Sequence, residues 1–215
     1  MERALTTSQW FGEIILSKIL ITGFVRFLGE PINPTHIILD NLQAESPNIE
    51  TLLLPVSFQH SWRLLETKLA GKEYDYVIML GQAGGREQIE FERVALNWIE
   101  TAHPDEDGVI PRLGKIGIGP DVHFTTLPIL EVIHALKAQS IPARVSLSAG
   151  GYVCNYLYYN CLQYLANSSL KTKACFIHVP YLPTQIVGKS SKTPSMPLST
   201  MLEAIKITVE TLIKK

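Results

Sequence analysis

Short apolar runs alternate along the chain with stretches of helical period. "SKILITGF" is an apolar run that closes on Thr22-Gly23, which predicts a buried strand. "IETLLLPVSF" and "YDYVIMLG" read the same way, while "HIILDNLQ" fits either a helix or a strand. "SWRLLETKLAG" has helical spacing, with Gly71 as a natural stop. "FTTLPILEVIHALKAQS" predicts a helix carrying Pro128 in its first turn, and "ARVSLS" predicts a strand. "YVCNYLYYNCLQYLAN" predicts a helix and "KACFIHVP" a strand. "PLSTMLEAIKITVETLIKK" closes the series as an amphipathic helix, with Ser199 and Thr200 as candidate caps.

Strands that alternate with helices argue for an α/β fold, a three-layer α/β/α sandwich with a mainly parallel central sheet. Sites in such sheets form beyond the carboxyl ends of the strands. "TGF", "GQAGGR", "SAGG" and "HVP" each follow a predicted strand, so parallel strands would gather all four on one edge. The expectation requires those strands to run the same way.

Composition narrows the class. At 215 residues the chain suits one α/β domain with a sizeable core, here residues 18–215 after an amino-terminal extension over residues 1–17. Lys plus Arg (19) nearly cancels Asp plus Glu (20), so no basic excess points to nucleic acid. The run "WFGEIILSKILITGF" is broken by Glu13 and Lys18, which makes it a poor membrane span, and it lacks a basic leader. The expected location is therefore the cytoplasm. Three cysteines in a chain of this length do not make a disulfide framework.

Those cysteines carry the candidate chemistry. Cys154 falls in the first turn of its helix, where free amides and the positive dipole end favour a thiolate. The small Ala149-Gly150-Gly151 turn before it lets a substrate approach the backbone, whose N–H groups suit an oxyanion. The competing reading is a small apolar filler, the usual fate of a free cysteine. Cys161 lies two turns further into the same helix and reads as packing. His178 sits at the end of "ACFIHVP", and Cys175 points to the other face of that strand, so these two are not a pair. A structural histidine is the plainer reading of His178. The remaining histidines (His36, His60, His103, His123, His134) show no HxH or HExxH spacing, which argues against a zinc site. A thiolate–imidazole pair benefits from a group that orients the ring. "REQIEFERVALN" offers Glu87, Glu90 and Glu92, but such a charged stretch is usually a solvated surface, and local pattern does not choose among the three. "GQAGGR" matches neither GxGxxG nor the P-loop, so a nucleotide-binding reading rests on one glycine-rich turn.

Taken in order, "GQAGGREQIEFERVALN", "SLSAGGYVCN" and "FIHVPYLPTQ" resemble the pyroglutamyl peptidase I (pyrrolidone-carboxylate peptidase) family of cysteine peptidases. "ILITGFVRFLGEPINP" is similar to that family's opening strand and loop, and "PSMPLSTMLEAIKITVE" to its last helix, so the likeness covers about residues 18–212. The resemblance implies a hydrolase that releases an amino-terminal pyroglutamyl residue from peptides. It places the nucleophile on Cys154, the imidazole on His178 and the carboxylate on Glu92. It also implies an apolar pocket in which Phe24, Phe27 and Gln82 bind the lactam, no metal or organic cofactor, and a homodimer or homotetramer.

The chain departs from the family pattern in places. Arg26 and Leu28 stand where the first loop usually has proline and glycine, and Glu90 where Ser or Thr is common. "TAHPD" replaces "ARIPD", with Ala102 at the position of an arginine thought to support the oxyanion and His103 beside it as a candidate substitute. Gly151 stands where threonine is frequent. Losing one oxyanion donor costs roughly 100- to 1,000-fold in turnover. The intact Cys–His–Glu set favours an active peptidase, and the departures favour a non-catalytic or altered-specificity relative that binds a peptide or acyl terminus.

Overall fold

The structure, a computed structural model, describes residues 17–45 and 49–214. Apart from Ser17, the amino-terminal extension lies outside these residues. In chain order the elements are β1 (Ile19–Phe24), α1 (Pro34–Glu45), β2 (Ile49–Leu54), α2 (Phe58–Gly71), β3 (Tyr76–Gln82), β4 (Ile89–Glu92), β5 (Val94–Leu96) and β6 (Val122–Phe124). They continue with α3 (Ile129–Ala138), β7 (Ala143–Ser146), α4 (Val153–Asn167), β8 (Lys173–Val179), a 3-10 turn (Pro183–Ile186) and α5 (Leu198–Ile213). The ambiguous "HIILDNLQ" is helical: Asn33 Oδ1 accepts from Thr35 N at 3.0 Å, and Pro34 supplies a preset first helical position.

Six strands form one sheet in the order β2-β1-β3-β8-β4-β7. One face is covered by α1, α3 and α5, which bury Ile38, Val132 and Ile205 against Ile21, Ile78 and Ile177. The other is covered by α2 and α4, which bury Leu65 and Leu157 against Leu20, Met79 and Phe176. This is the expected three-layer sandwich with a mainly parallel sheet. Strand parity also holds on β8, where Cys175 and Ile177 belong to the first core and Phe176 to the second.

The sheet differs from expectation on one side. β1, β2, β3 and β8 run parallel, but β4 is antiparallel to β8, and β7 follows β4. "SAGG" therefore leaves a strand running the opposite way, and reaches the site by turning back into α4. β4 itself is the larger surprise. The charged stretch expected at the surface is a strand with all four residues buried, Glu90 and Glu92 among them. Two smaller differences concern helix starts. Residues 124–128 are not helical, and Pro128 precedes α3 rather than sitting within its first turn. Ser199 and Thr200 lie inside α5, whose cap position is Pro197 without a side-chain bond.

The loop after β1 turns at Leu28 (φ 50) and Gly29 (φ 73), closed by Glu30 N donating to Phe27 O at 3.0 Å. Two successive left-handed residues make a type I′ turn, which suits glycine at both positions. Leu28 holds this conformation with its side chain 59% exposed. Leu28→Gly is expected to raise stability by about 1 kcal/mol, since left-handed backbone penalises a Cβ and little apolar contact is lost. A urea titration that shows a lower midpoint for the variant would contradict this.

Candidate active site

The ends of β1, β3 and β8 meet the start of α4 around a cavity of about 200 Å³. Phe24, Phe27, Gln82, Arg86, Cys154 and His178 line it, with Ala149, Tyr152 and Val153 completing the α4 side. Register explains the gathering. Gly81 on β3 lies opposite His178 on β8, and a Cβ added to Gly81 would stand 3.1 Å from Cys154 Sγ and 2.7 Å from the Phe176 ring. Glycine there makes room for the thiol beside the sheet. Cys154 is partly exposed in the first turn of α4, a helix whose cap residue Tyr152 makes no side-chain bond to the first amides.

His178 is 3% exposed, and its Nδ1 lies 2.7 Å from Glu92 Oε1. Burial pushes the Glu92 carboxyl up, but the His178 bond and charge, with a further contribution from the Arg86 charge, leave it below its ordinary value. Glu92 is therefore a carboxylate that can only accept, so Nδ1 carries the proton and Nε2 is left unprotonated. Burial also lowers the His178 pKa and outweighs the opposing effect of Glu92. The thiol of Cys154 is pushed up to about 12 by burial first and then by the Glu92 charge. This corrects the expectation of a thiolate favoured by the helix start: the backbone and Arg86 act in that direction, but desolvation wins. The resting pair is a neutral thiol and a neutral imidazole.

Gln82 has a fixed orientation. Gln185 Oε1 accepts from Leu182 N at 2.9 Å, so its Nε2 donates to Gln82 Oε1, also at 2.9 Å. The Gln82 amide nitrogen is thereby left as a donor on the cavity wall. Phe24 is held by Thr35 Oγ1, which accepts from Phe24 N at 2.9 Å.

The structure thus brings Cys154, His178, Phe24, Phe27 and Gln82 to one cavity, with Glu92 behind the imidazole. Glu87 is exposed and stands apart. His103 and Ala102 are exposed and do not line the cavity, so His103 does not take the place of the missing arginine there. Gly151 is explained by a close approach, because a Cβ there would stand 2.6 Å from Glu100 O and 2.8 Å from Glu100 N. The backbone at Glu100 thus presses on the start of α4, with Glu100 N donating to Gly151 O at 3.1 Å. Sequence reasoning missed Arg86 and Gln185, each of which stands within a motif already quoted. Among the described residues, no group of three or more His, Cys, Asp or Glu side chains is placed to hold a metal ion.

This arrangement, a thiol and a carboxylate-backed imidazole on an α/β sandwich, defines a candidate cysteine hydrolase site. Residues 17–215 match the family model described as pyroglutamyl peptidase. The chain is 42% identical over 200 residues to pyrrolidone-carboxylate peptidase 1 of Caldanaerobacter subterraneus, covering 92% of this chain and 98% of that one. It is 42% identical to the pyrrolidone-carboxylate peptidase of Thermococcus onnurineus, covering 92% and 99%. The crystal structure of pyroglutamyl peptidase I from Bacillus amyloliquefaciens superposes with a TM-score of 0.86 at 35% identity, covering 92% of this chain and 95% of that one. The chain belongs to the pyroglutamyl peptidase family.

Proposed function

We propose that this protein is a cysteine peptidase that releases an amino-terminal pyroglutamyl residue from peptides, with Cys154, His178 and Glu92 as its catalytic residues. One observation carries the reading: Cys154 and His178 share a mostly apolar cavity with Phe24, Phe27 and Gln82, while Glu92 lies 2.7 Å behind the ring. Pyroglutamate has an uncharged lactam ring, which suits aromatic walls and the single amide donor of Gln82.

Because the thiol and imidazole rest neutral, His178 Nε2 takes the Cys154 proton as sulfur attacks the pyroglutamyl carbonyl. The same proton then passes to the leaving amine, and His178 activates water to release the acyl group. Glu92 holds the ring and stabilises the imidazolium. The oxyanion is received by backbone N–H groups at the start of α4, which no side chain caps. That source of donors does not depend on residue 102, so the alternative of a non-catalytic binder draws no support from the lost arginine. No described helix is long and apolar enough to cross a membrane. We place the protein in the cytoplasm, acting on peptides as a homodimer or homotetramer.

The test is hydrolysis of a pyroglutamyl chromogenic amide by the purified protein. Turnover is expected, and its absence at high enzyme concentration would remove the reading. The pH profile adds a sharper expectation. His178 must be neutral to accept the proton, and its pKa is held below the ordinary 6.5. The acidic limb of kcat/KM should therefore fall below pH 6.5, with activity retained as pH rises because the thiol ionises only near 12. A limb above 7 would show that burial does not control the ring.

A further inference from the structure

Beyond the proposed triad, a row of register partners crosses the sheet, with Glu90 and His178 buried and Arg144 exposed at its end. Gly81, His178, Glu90 and Arg144 are successive register partners on β3, β8, β4 and β7. Glu90 is 2% exposed and lies directly across from His178. Arg144 Nε donates to Glu90 Oε1 at 2.8 Å, and Arg86 Nη1 pairs with Glu90 Oε2. The same Arg86 Nη1 donates to Glu92 Oε1 at 2.7 Å, the oxygen that His178 Nδ1 also meets. Arg86 Nη2 donates to Ser148 O at 2.9 Å, in the turn that leads into Cys154.

We infer that Arg86 and Glu90 are positioning residues, a buried ion-pair network that fixes the Glu92 carboxylate and the 148–151 turn together and balances the charge next to His178. The inference rests on the proposed peptidase reading and deepens it. Arg86 bonds both the carboxylate arm and the turn before the nucleophile. Left alone, its charge would oppose the imidazolium that forms on His178. Glu90 offsets that charge from the adjacent strand position. A carboxylate so deeply buried is tolerable because two guanidiniums satisfy it. The charged and titratable groups around His178 are Glu90 and Glu92 from β4, Arg86 from the β3–β4 loop and Cys154 from α4, with Arg144 of β7 behind Glu90. The Tyr158 phenol meets this group only through the Glu92 backbone, donating to Glu92 O at 3.0 Å. The signs are opposite: Arg86 lowers the His178 pKa and Glu90 raises it.

Arg86→Gln, Glu90→Gln and Glu90→Thr are to be compared with the wild type on a pyroglutamyl chromogenic amide across pH, with Cys154→Ala as control. Arg86→Gln should lower kcat by about 100-fold through misplacement of both arms, with KM little changed. Its acidic limb should move to higher pH. Glu90→Gln should move the limb to lower pH, and Glu90→Thr carries the same expectation should the glutamine variant not fold. Limbs that stay at the wild-type position, or move together in one direction, overturn the inference while Cys154→Ala remains inactive. An active Cys154→Ala overturns the peptidase reading instead.

Discussion

Cys154→Ala is expected to abolish hydrolysis of a pyroglutamyl amide, by on the order of 10⁵-fold or more, because the variant lacks the atom that forms the acyl bond. Thiol acidity does not select this residue. Burial pushes Cys154, Cys161 and Cys175 alike up to about 12. Position does. Cys161 is 0% exposed, packed in the core between α4 and the sheet. Cys175 is also 0% exposed and lies on the opposite side of the sheet, among α1, α3 and α5. Only Cys154 lines the cavity with His178. Cys161→Ala and Cys175→Ala should therefore keep kcat within a few-fold while losing about 1 kcal/mol of stability each from the deleted buried sulfur. The three variants separate the alternatives by assay and thermal melt. Activity in Cys154→Ala within tenfold of wild type would place the nucleophile elsewhere.

The contrast among the cysteines was legible early because it depends on period. Helical spacing put Cys154 at a helix start and Cys161 inside, and strand parity turned Cys175 away from His178. The carboxylate was not legible in the same way. In a buried strand the pattern is expected to be apolar, yet β4 carries Glu90 and Glu92 on one face and Ile89 and Phe91 on the other. That is a clean alternation, but its polar side faces α4 and the network of Arg86, Arg144 and His178 rather than water. Such local conflict is what a functional site imposes on a fold. Direction was equally hidden: nothing local in a four-residue strand tells whether it runs with its neighbour or against it, and β4 runs against β8. Arg86 and Gln185 were invisible for a third reason, since each acts through a partner distant in sequence, Ser148 in one case and Gln82 in the other.

Glu92→Gln is the second large effect expected, a fall in kcat of about 1,000-fold with KM little changed. Glu92 Oε1 accepts from both His178 Nδ1 and Arg86 Nη1, each at 2.7 Å. A glutamine carbonyl placed there satisfies both donors, so ring orientation and tautomer survive while the charge is lost, and its amide nitrogen replaces Oε2, a buried atom with no hydrogen-bond partner among the described residues. That charge is what opposes Arg86 beside the imidazolium formed when His178 takes the thiol proton. Without it, only Glu90 remains to offset the guanidinium beside that cation, at a buried ring where the repulsion is weakly screened. The burial that already holds the His178 pKa low then acts with one fewer opposing group, and the acidic limb should move to lower pH even as the plateau falls. Glu92→Ala would confound this by freeing the ring as well. A glutamine variant whose kcat stays within tenfold of wild type would mean that Glu92 serves only to hold the imidazole in place.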